Sequence, residues 1–356
     1  MYASLVEKLT DLSIAIFLWG FRIAVVLVVV GGSALTLAGG KYTGAQWLDL
    51  AADGVAQGSI YALIALGYTM VYGILRMINF AHGEIFMAGA FGGLFAAQAL
   101  AQSGFLNQNL ATSLLSVALI LVVAMVVSAT LALLVERIAY RPLRNAPRLV
   151  PLISAIGASF FLQYTFRGFF GPGIYAYPSV EVLDKPVPGL PVEWVDVLVI
   201  GAAVVMMAGL YTITMRTKIG KAMRAVSEDK DAAALMGIDV NYVIVATFAV
   251  GAAMAGAAGV LYGLTFRQVF FFTGFIPGIK AFTAAVLGGI GNVPGAMAGG
   301  MFLGLVESVG PTLFLDGLNV PSPNQLKDVI AFTMLVLVLV FRPSGLLGER
   351  ITTKKA

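Results

Sequence analysis

The sequence predicts an all-α polytopic membrane protein of about eight transmembrane helices plus a broken or re-entrant helix pair. Three observations carry that prediction. Of 356 residues 59% are hydrophobic and 11% charged, against about 25% charged in soluble domains. Runs of about 20 apolar residues, the length that a hydrocarbon core of roughly 30 Å demands of a helix, recur between short polar loops. Stretches such as Val117–Val127 and Met334–Phe341 are apolar on every face, unlike the alternating segments of a membrane β-barrel.

Taken in order, spans are expected at Ile14–Ala38, Leu48–Leu75, Glu84–Leu100, Leu110–Val135, Leu149–Phe170, Val195–Met215, Tyr242–Leu264 and Leu326–Phe341. Thr36 to Ala38 weakly resembles a signal-peptide cleavage site, but Arg22 inside the first apolar run and the length of that run favour a retained span. Glycines at the spacing of close helix packing recur at Gly54/Gly58, Gly259/Gly263, Gly295/Gly299 and Gly300/Gly304.

Basic residues set the orientation. Arg137, Arg141, Arg144 and Arg148 lie in one loop, Arg216, Lys218, Lys221, Arg224 and Lys230 in a second, and Arg342, Arg350, Lys354 and Lys355 after the last span. The positive-inside rule makes all three cytoplasmic, so the C-terminus is expected in the cytoplasm and Gly171–Trp194 outside. The segment Ile279–Gly310 then crosses twice or not at all. Its 32 residues are too short for two full helices, and Gly288–Pro294 breaks them, so two unequal, re-entrant arms are expected.

The net charge of +4 lies between hydrophobic spans and needs no nucleic-acid partner, whereas lipid is an expected one. With no Cys and a single His, His82, disulfides, thiol catalysis and a His-based metal cluster are excluded. An intramembrane enzyme is disfavoured because no nucleophile motif, metal cluster or paired aspartate motif is present.

Two regions point to function. On the cytoplasmic side, Ser227 is expected to cap a short helix whose first turn carries Glu228, Asp229 and Asp231, ended by Gly237, with Ala232, Ala233, Leu235 and Met236 available for packing. Such a helix suits docking into a groove of a cytoplasmic partner. At membrane depth, Asn79, His82, Gly83 and Glu84, and Gly288, Gly289, Gly291, Asn292, Pro294 and Gly295, interrupt helix and free backbone groups. Broken helices offer N–H groups to a carboxylate and carbonyls to an ammonium, so these two segments are the expected substrate pathway for a zwitterion. Among the polar residues Asp53, Gln57, Tyr61, Tyr68, Tyr72, Glu84 and Glu307 within or near spans, Glu307 is of most interest, because a carboxylate at membrane depth is costly and marks a functional candidate; the alternative is a position near the external interface or pairing with a neighbouring helix.

The stretch Gly58–Glu84, GSIYALIALGYTMVYGILRMINFAHGE, closely resembles the signature of bacterial branched-chain amino acid ABC permeases. DAAALMG at Asp231–Gly237 resembles the coupling motif of ABC importer permeases, with Asp in place of Glu. The resemblance continues through RAVSED at Arg224–Asp229, VLGGIGNVPG at Val286–Gly295 and FRPSGLLG at Phe341–Gly348. It implies an ABC importer permease fold over residues 48–350, preceded by an extension, 1–47, with an extra transmembrane helix and followed by a cytoplasmic tail, 351–356. It also implies a bacterial inner-membrane location, a second, related permease subunit, two cytoplasmic ATP-binding subunits and an extracytoplasmic substrate-binding protein. The chain has no phosphate-binding loop, so no cofactor is expected on it and ATP belongs to partner subunits. Branched-chain or related neutral amino acids are the implied cargo. Urea or short amides, carried by similar permeases, and an ion-coupled secondary transporter remain alternatives.

Overall fold

The computed structural model describes residues 2–144, 146, 147, 149–342 and 345–348. Arg148, Pro343, Ser344, Arg350, Lys354, Lys355 and the tail 351–356 lie outside the described residues. The elements are α1 (Tyr2–Ala38), α2 (Gly44–Leu75), α3 (His82–Gln102), α4 (Leu110–Val135), α5 (Leu149–Phe170), β1 (Tyr175–Ala176), α6 (Trp194–Arg216), α7 (Lys218–Glu228), α8 (Lys230–Leu235), α9 (Val240–Phe266), β2 (Gln268–Val269), α10 (Phe275–Gly288), α11 (Val293–Leu315) and α12 (Lys327–Phe341). Among the described residues nine helices, α1 to α6, α9, α11 and α12, are long and apolar enough to cross a membrane.

The expected eight spans and each of their positions recur, displaced at their ends by a few residues, except that α1 begins at Tyr2, twelve residues before the expected Ile14. The broken pair is also present, with its arms longer than Ile279–Gly310. The apolar run continues past Gly310 to Leu315, which makes α11 a full span; α10, with 14 residues or about 21 Å, is short for a crossing, and α12 reaches spanning length together with the helical turn Pro323–Leu326 that precedes it.

The centre of the bundle is α2, in which every residue from Gly58 to Val71 is buried. It packs on α11, α9, α10 and α6, and α9 in turn packs on α3 and α4. Glycine explains the closest of these contacts. A methyl group on Gly58 would sit 2.8 Å from the Met301 Cα, and one on Gly304 would overlap the Gly58 backbone. The glycine pairs 54/58 and 300/304 thus face each other and let two helices touch backbone to backbone, where dispersion and not side-chain burial holds them.

The turn between α10 and α11 uses Gly289 (φ 104°) and Gly291 (φ 95°), conformations that favour glycine. Asn292 then caps α11, accepting from Gly295 N at 3.2 Å. The last carbonyls of α10, which no helix can satisfy internally, are taken by residues after α12: Leu346 N donates to Leu287 O (2.7 Å) and Leu347 N to Gly288 O (3.2 Å).

The Pro- and Gly-rich connection between α5 and α6 is anchored by β1, which pairs antiparallel with β2. Tyr177 lies with its ring against Gly263 of α9, and Asp184 pairs with Arg267.

Helix α1 is peripheral. At one end it meets α11, where a side chain on Gly32 would overlap the Phe314 backbone and Thr36 Oγ1 accepts from Gly317 N at 2.8 Å. Near the middle of α1 the Arg22 guanidinium lies 3.8 Å from the ring centre of Phe341 and 4.9 Å from that of Trp19.

Candidate functional site: a surface helix, a short broken-helix arm and a buried ion cluster

The surface segment differs from expectation in its cap. Thr217 starts α7, accepting from Gly220 N at 3.1 Å, and the register that buries Met223 and Val226 carries this helix through Glu228. Ser227 therefore lies inside α7, with its hydroxyl donating to Arg224 O at 2.7 Å. Asp229 is the cap of α8, accepting from Asp231 N (2.9 Å) and Ala232 N (3.0 Å). Of the expected first-turn acids only Asp231 occupies that turn; Asp229 precedes it as the cap and Glu228 closes α7. Gly237, at φ 82°, ends α8 in a paired-bond stop, with Gly237 N to Ala234 O and Ile238 N to Ala233 O.

Ala232 is exposed, whereas Ala233 is buried beneath the helix and is not available to a partner. Leu235 and Met236 are 89% and 82% exposed, two large apolar side chains at the tip of a six-residue helix. The segment is tied to the bundle by Arg76, which donates to Ser227 O at 3.0 Å. Arg144 joins the same face, donating to Asn241 at 2.6 Å and pairing with Glu136. Burial holds Lys230 below the ordinary lysine range, and the positive charges of Arg144 and Arg76 push it the same way.

The two interrupted segments both line α10. Residues Ile78 to Glu84 run alongside it: Ile78 shares an apolar cleft with Ala285 and Ile290, the Phe80 ring lies 6.2 Å from that of Phe282, and Gly83 is pressed against Gly274 and Gly278. Asn79 is buried and accepts from the Tyr140 hydroxyl at 2.5 Å. His82 is buried, packs edge-on to Tyr68 at 4.8 Å and fills the space that the missing side chain of Gly67 leaves. Glu84 accepts from Gln163 at 2.8 Å and Ser159 at 3.3 Å, both on α5, while its second oxygen has no partner among the described residues.

The second segment closes on itself. Gly288 and Gly295 touch backbone to backbone, and the groups of Gly289 and Asn292 are engaged within the turn or with Leu347, whose carbonyl accepts from Asn292 at 2.7 Å. The two segments thus meet across the cleft of Tyr68, Tyr72, Ile78, Phe282, Ala285 and Ile290.

A third feature was half legible. Glu307 is fully buried and pairs with Lys280 of α10, which is 4% exposed and also reaches Asp328 of α12 at 2.6 Å. Gln57 donates to Glu307 at 3.2 Å and to Tyr61 at 2.6 Å. Sequence reasoning found the carboxylate and missed its partners. The signal for Lys280 was present: a single cation in the otherwise uncharged Phe275–Gly288. Among the described residues no group of three or more His, Cys, Asp or Glu is arranged to hold a metal ion.

Residues 50–339 match the profile of the family described as branched-chain amino acid transport system / permease component. The chain belongs to this family. Three relatives are similar along nearly their whole length. The permease protein BraD of the high-affinity branched-chain amino acid transport system of Pseudomonas aeruginosa is 42% identical over 313 residues, 85% of this chain and 96% of the relative. The corresponding LivH proteins of Salmonella typhimurium and Escherichia coli K12 are each 41% identical over 302 residues, 83% of this chain and 94% of theirs. No solved structure matches. The family match takes in most of α2, α3 to α11 and most of α12, with both interrupted segments, α8 and the ion cluster, and it begins beyond α1.

Proposed function

We propose that this chain is the membrane-spanning subunit of an ATP-binding-cassette importer that passes branched-chain and related neutral amino acids across the bacterial inner membrane. The observation that carries this reading is the 42% identity to a branched-chain amino acid permease over 96% of that relative's length. Residues 48–350 form the permease domain, 1–47 an added spanning extension and 351–356 a cytoplasmic tail. ATP is hydrolysed by two separate cytoplasmic subunits, a second, related permease completes the pore, and an extracytoplasmic binding protein delivers the cargo.

In this reading α8 is the coupling helix. Asp229 and Asp231 set its start, Gly237 its end, and Leu235 and Met236 are the knobs that enter the ATPase subunit, in the manner of an apolar helix face in a groove. The basic face of Arg76, Arg144 and Lys230 is cytoplasmic, as is the C-terminus. The substrate passes beside α10, where Asn79, His82, Gly83 and Glu84 lie on one side and Gly288, Gly289, Gly291, Asn292, Pro294 and Gly295 close the end.

The test is co-purification in mild detergent followed by ATPase assay in liposomes. Recovery of a nucleotide-binding subunit whose hydrolysis rises with an amino-acid-loaded binding protein is the expected result. Ion-driven uptake by the chain alone would overturn the reading.

A further inference from the structure

Helix α1 stands apart from the family fold: the matched residues begin at 50, and none of its most hydrophobic 18-residue window is buried. Two of its contacts with the bundle are Gly32 on Phe314 and, ten residues earlier, Arg22 on Phe341. Between α1 and α12 lies a groove lined by residues such as Ala24, Val28, Ile330 and Leu337, with Phe314 and Leu315 of α11, and with Thr333 its one polar side chain. Along α12 it runs from Leu326 to Leu337, about 16 Å at 1.5 Å per residue, close to the roughly 15 Å depth of one leaflet of a 30 Å hydrocarbon core.

At the Phe341 end of this groove sits a cation. Among the described residues the Arg22 guanidinium meets two ring faces and neither a carboxylate nor a hydrogen-bond acceptor. Stacking on rings leaves the edge of the guanidinium, with its five N–H donors, free to meet an anion. An uncompensated charge beside lipid is costly, and a planar fork of donors matches a phosphate. A ligand that fills the apolar groove and neutralises its mouth is a chain of hydrocarbon ending in an anion.

We propose that the groove between α1 and α12 binds one anionic phospholipid, its acyl chain along Leu326–Leu337 and its phosphate on Arg22. The lipid supplies the packing that α1 and α12 do not give each other over the middle of the membrane.

Trp19, beside Arg22, is the reporter. The full-length chain carrying W47F and W194F keeps Trp19 as its only indole. It is reconstituted in phosphatidylcholine vesicles with increasing fractions of chain-brominated phosphatidylglycerol or chain-brominated phosphatidylcholine. Quenching of Trp19 is expected at about fivefold lower mole fraction for the anionic lipid, the factor equivalent to about 1 kcal/mol for one arginine near anionic headgroups. R22Q should abolish that preference and R22K should retain most of it, while Ala24→Phe, which fills the groove and leaves Arg22 in place, should weaken quenching by both lipids. Equal quenching by the two lipids in the parent, or a preference that survives R22Q, would overturn the proposal. So would a disulfide formed between two copies through V28C, which would make a second chain the occupant.

Discussion

Lys280 and Glu307 form an ion pair that joins α10 to α11 with both side chains almost wholly out of solvent. Asp328 brings α12 to the same lysine, with its own side chain 47% exposed. Breaking a buried pair leaves an uncompensated charge and costs about 3–5 kcal/mol, whereas an exposed partner contributes about 0–1 kcal/mol. K280M should therefore lower the melting temperature of the detergent-purified chain strongly and D328N barely. E307Q falls between them, because Lys280 retains Asp328. Equal melting temperatures for K280M and D328N would show that the cluster is hydrated.

At the tip of α8, Leu235→Asp and Met236→Asp should leave membrane levels unchanged and reduce binding-protein-stimulated ATPase and uptake together, because these two side chains touch solvent and not the bundle. Ala233→Arg should instead lower the amount of folded chain, since Ala233 is buried. A double aspartate variant with full stimulated activity would remove α8 from the interface.

Along the seam of α2 and α11, Gly304→Ala and Gly58→Ala should each cost stability, the first more, because a methyl group at 304 overlaps backbone while one at 58 sits 2.8 Å from it. Overpacking of this kind costs about 1–3 kcal/mol. Gly209→Ala in α6, where a methyl group meets nothing within 4 Å, should be neutral or gain up to about 1 kcal/mol from helix propensity. Thermal melting of the three variants in one detergent gives the ranking.

Two lysines outside the spans respond to pH in opposite senses. Hydrogen bonding and attraction from Asp316 raise Lys41 above its ordinary 10.5, so its contribution is complete below that value and is lost as pH rises through the higher folded value. Burial lowers Lys230 from 10.5, so folding penalises its charged form at neutral pH and the penalty fades as pH approaches 10.5. K230M should raise or preserve the melting temperature at pH 7, and K41M should lower it slightly, more at low salt. A fall in stability for K230M at pH 7 would reverse the assigned sign.

The spans were legible because hydrocarbon imposes a length and a composition that few other constraints can mimic. The turn at Gly289–Asn292 was legible for a similar reason, since consecutive glycines and a proline end helices locally. The cap of α8 was not: Ser227 and Asp229 are both good caps, and the choice is made by Val226, whose burial carries α7 two residues past it. Nor could the sequence pair Glu84 with Gln163 and Ser159, or Glu307 with Lys280, because these partners are set by which helices touch. The β1–β2 pair, two residues on each side, has too short a pattern to be read.

The bonds from Leu346 and Leu347 to the end of α10 carry a consequence for biosynthesis. As the chain leaves the ribosome, Asn292 is made 55 residues before Leu347, the residue whose carbonyl it will hold. Until those last residues arrive, α10 has open carbonyls and is too short to span the membrane by itself. The short arm is thus completed after the spanning helices around it, and a chain truncated just past α12 should insert its spans and yet leave that arm unfinished.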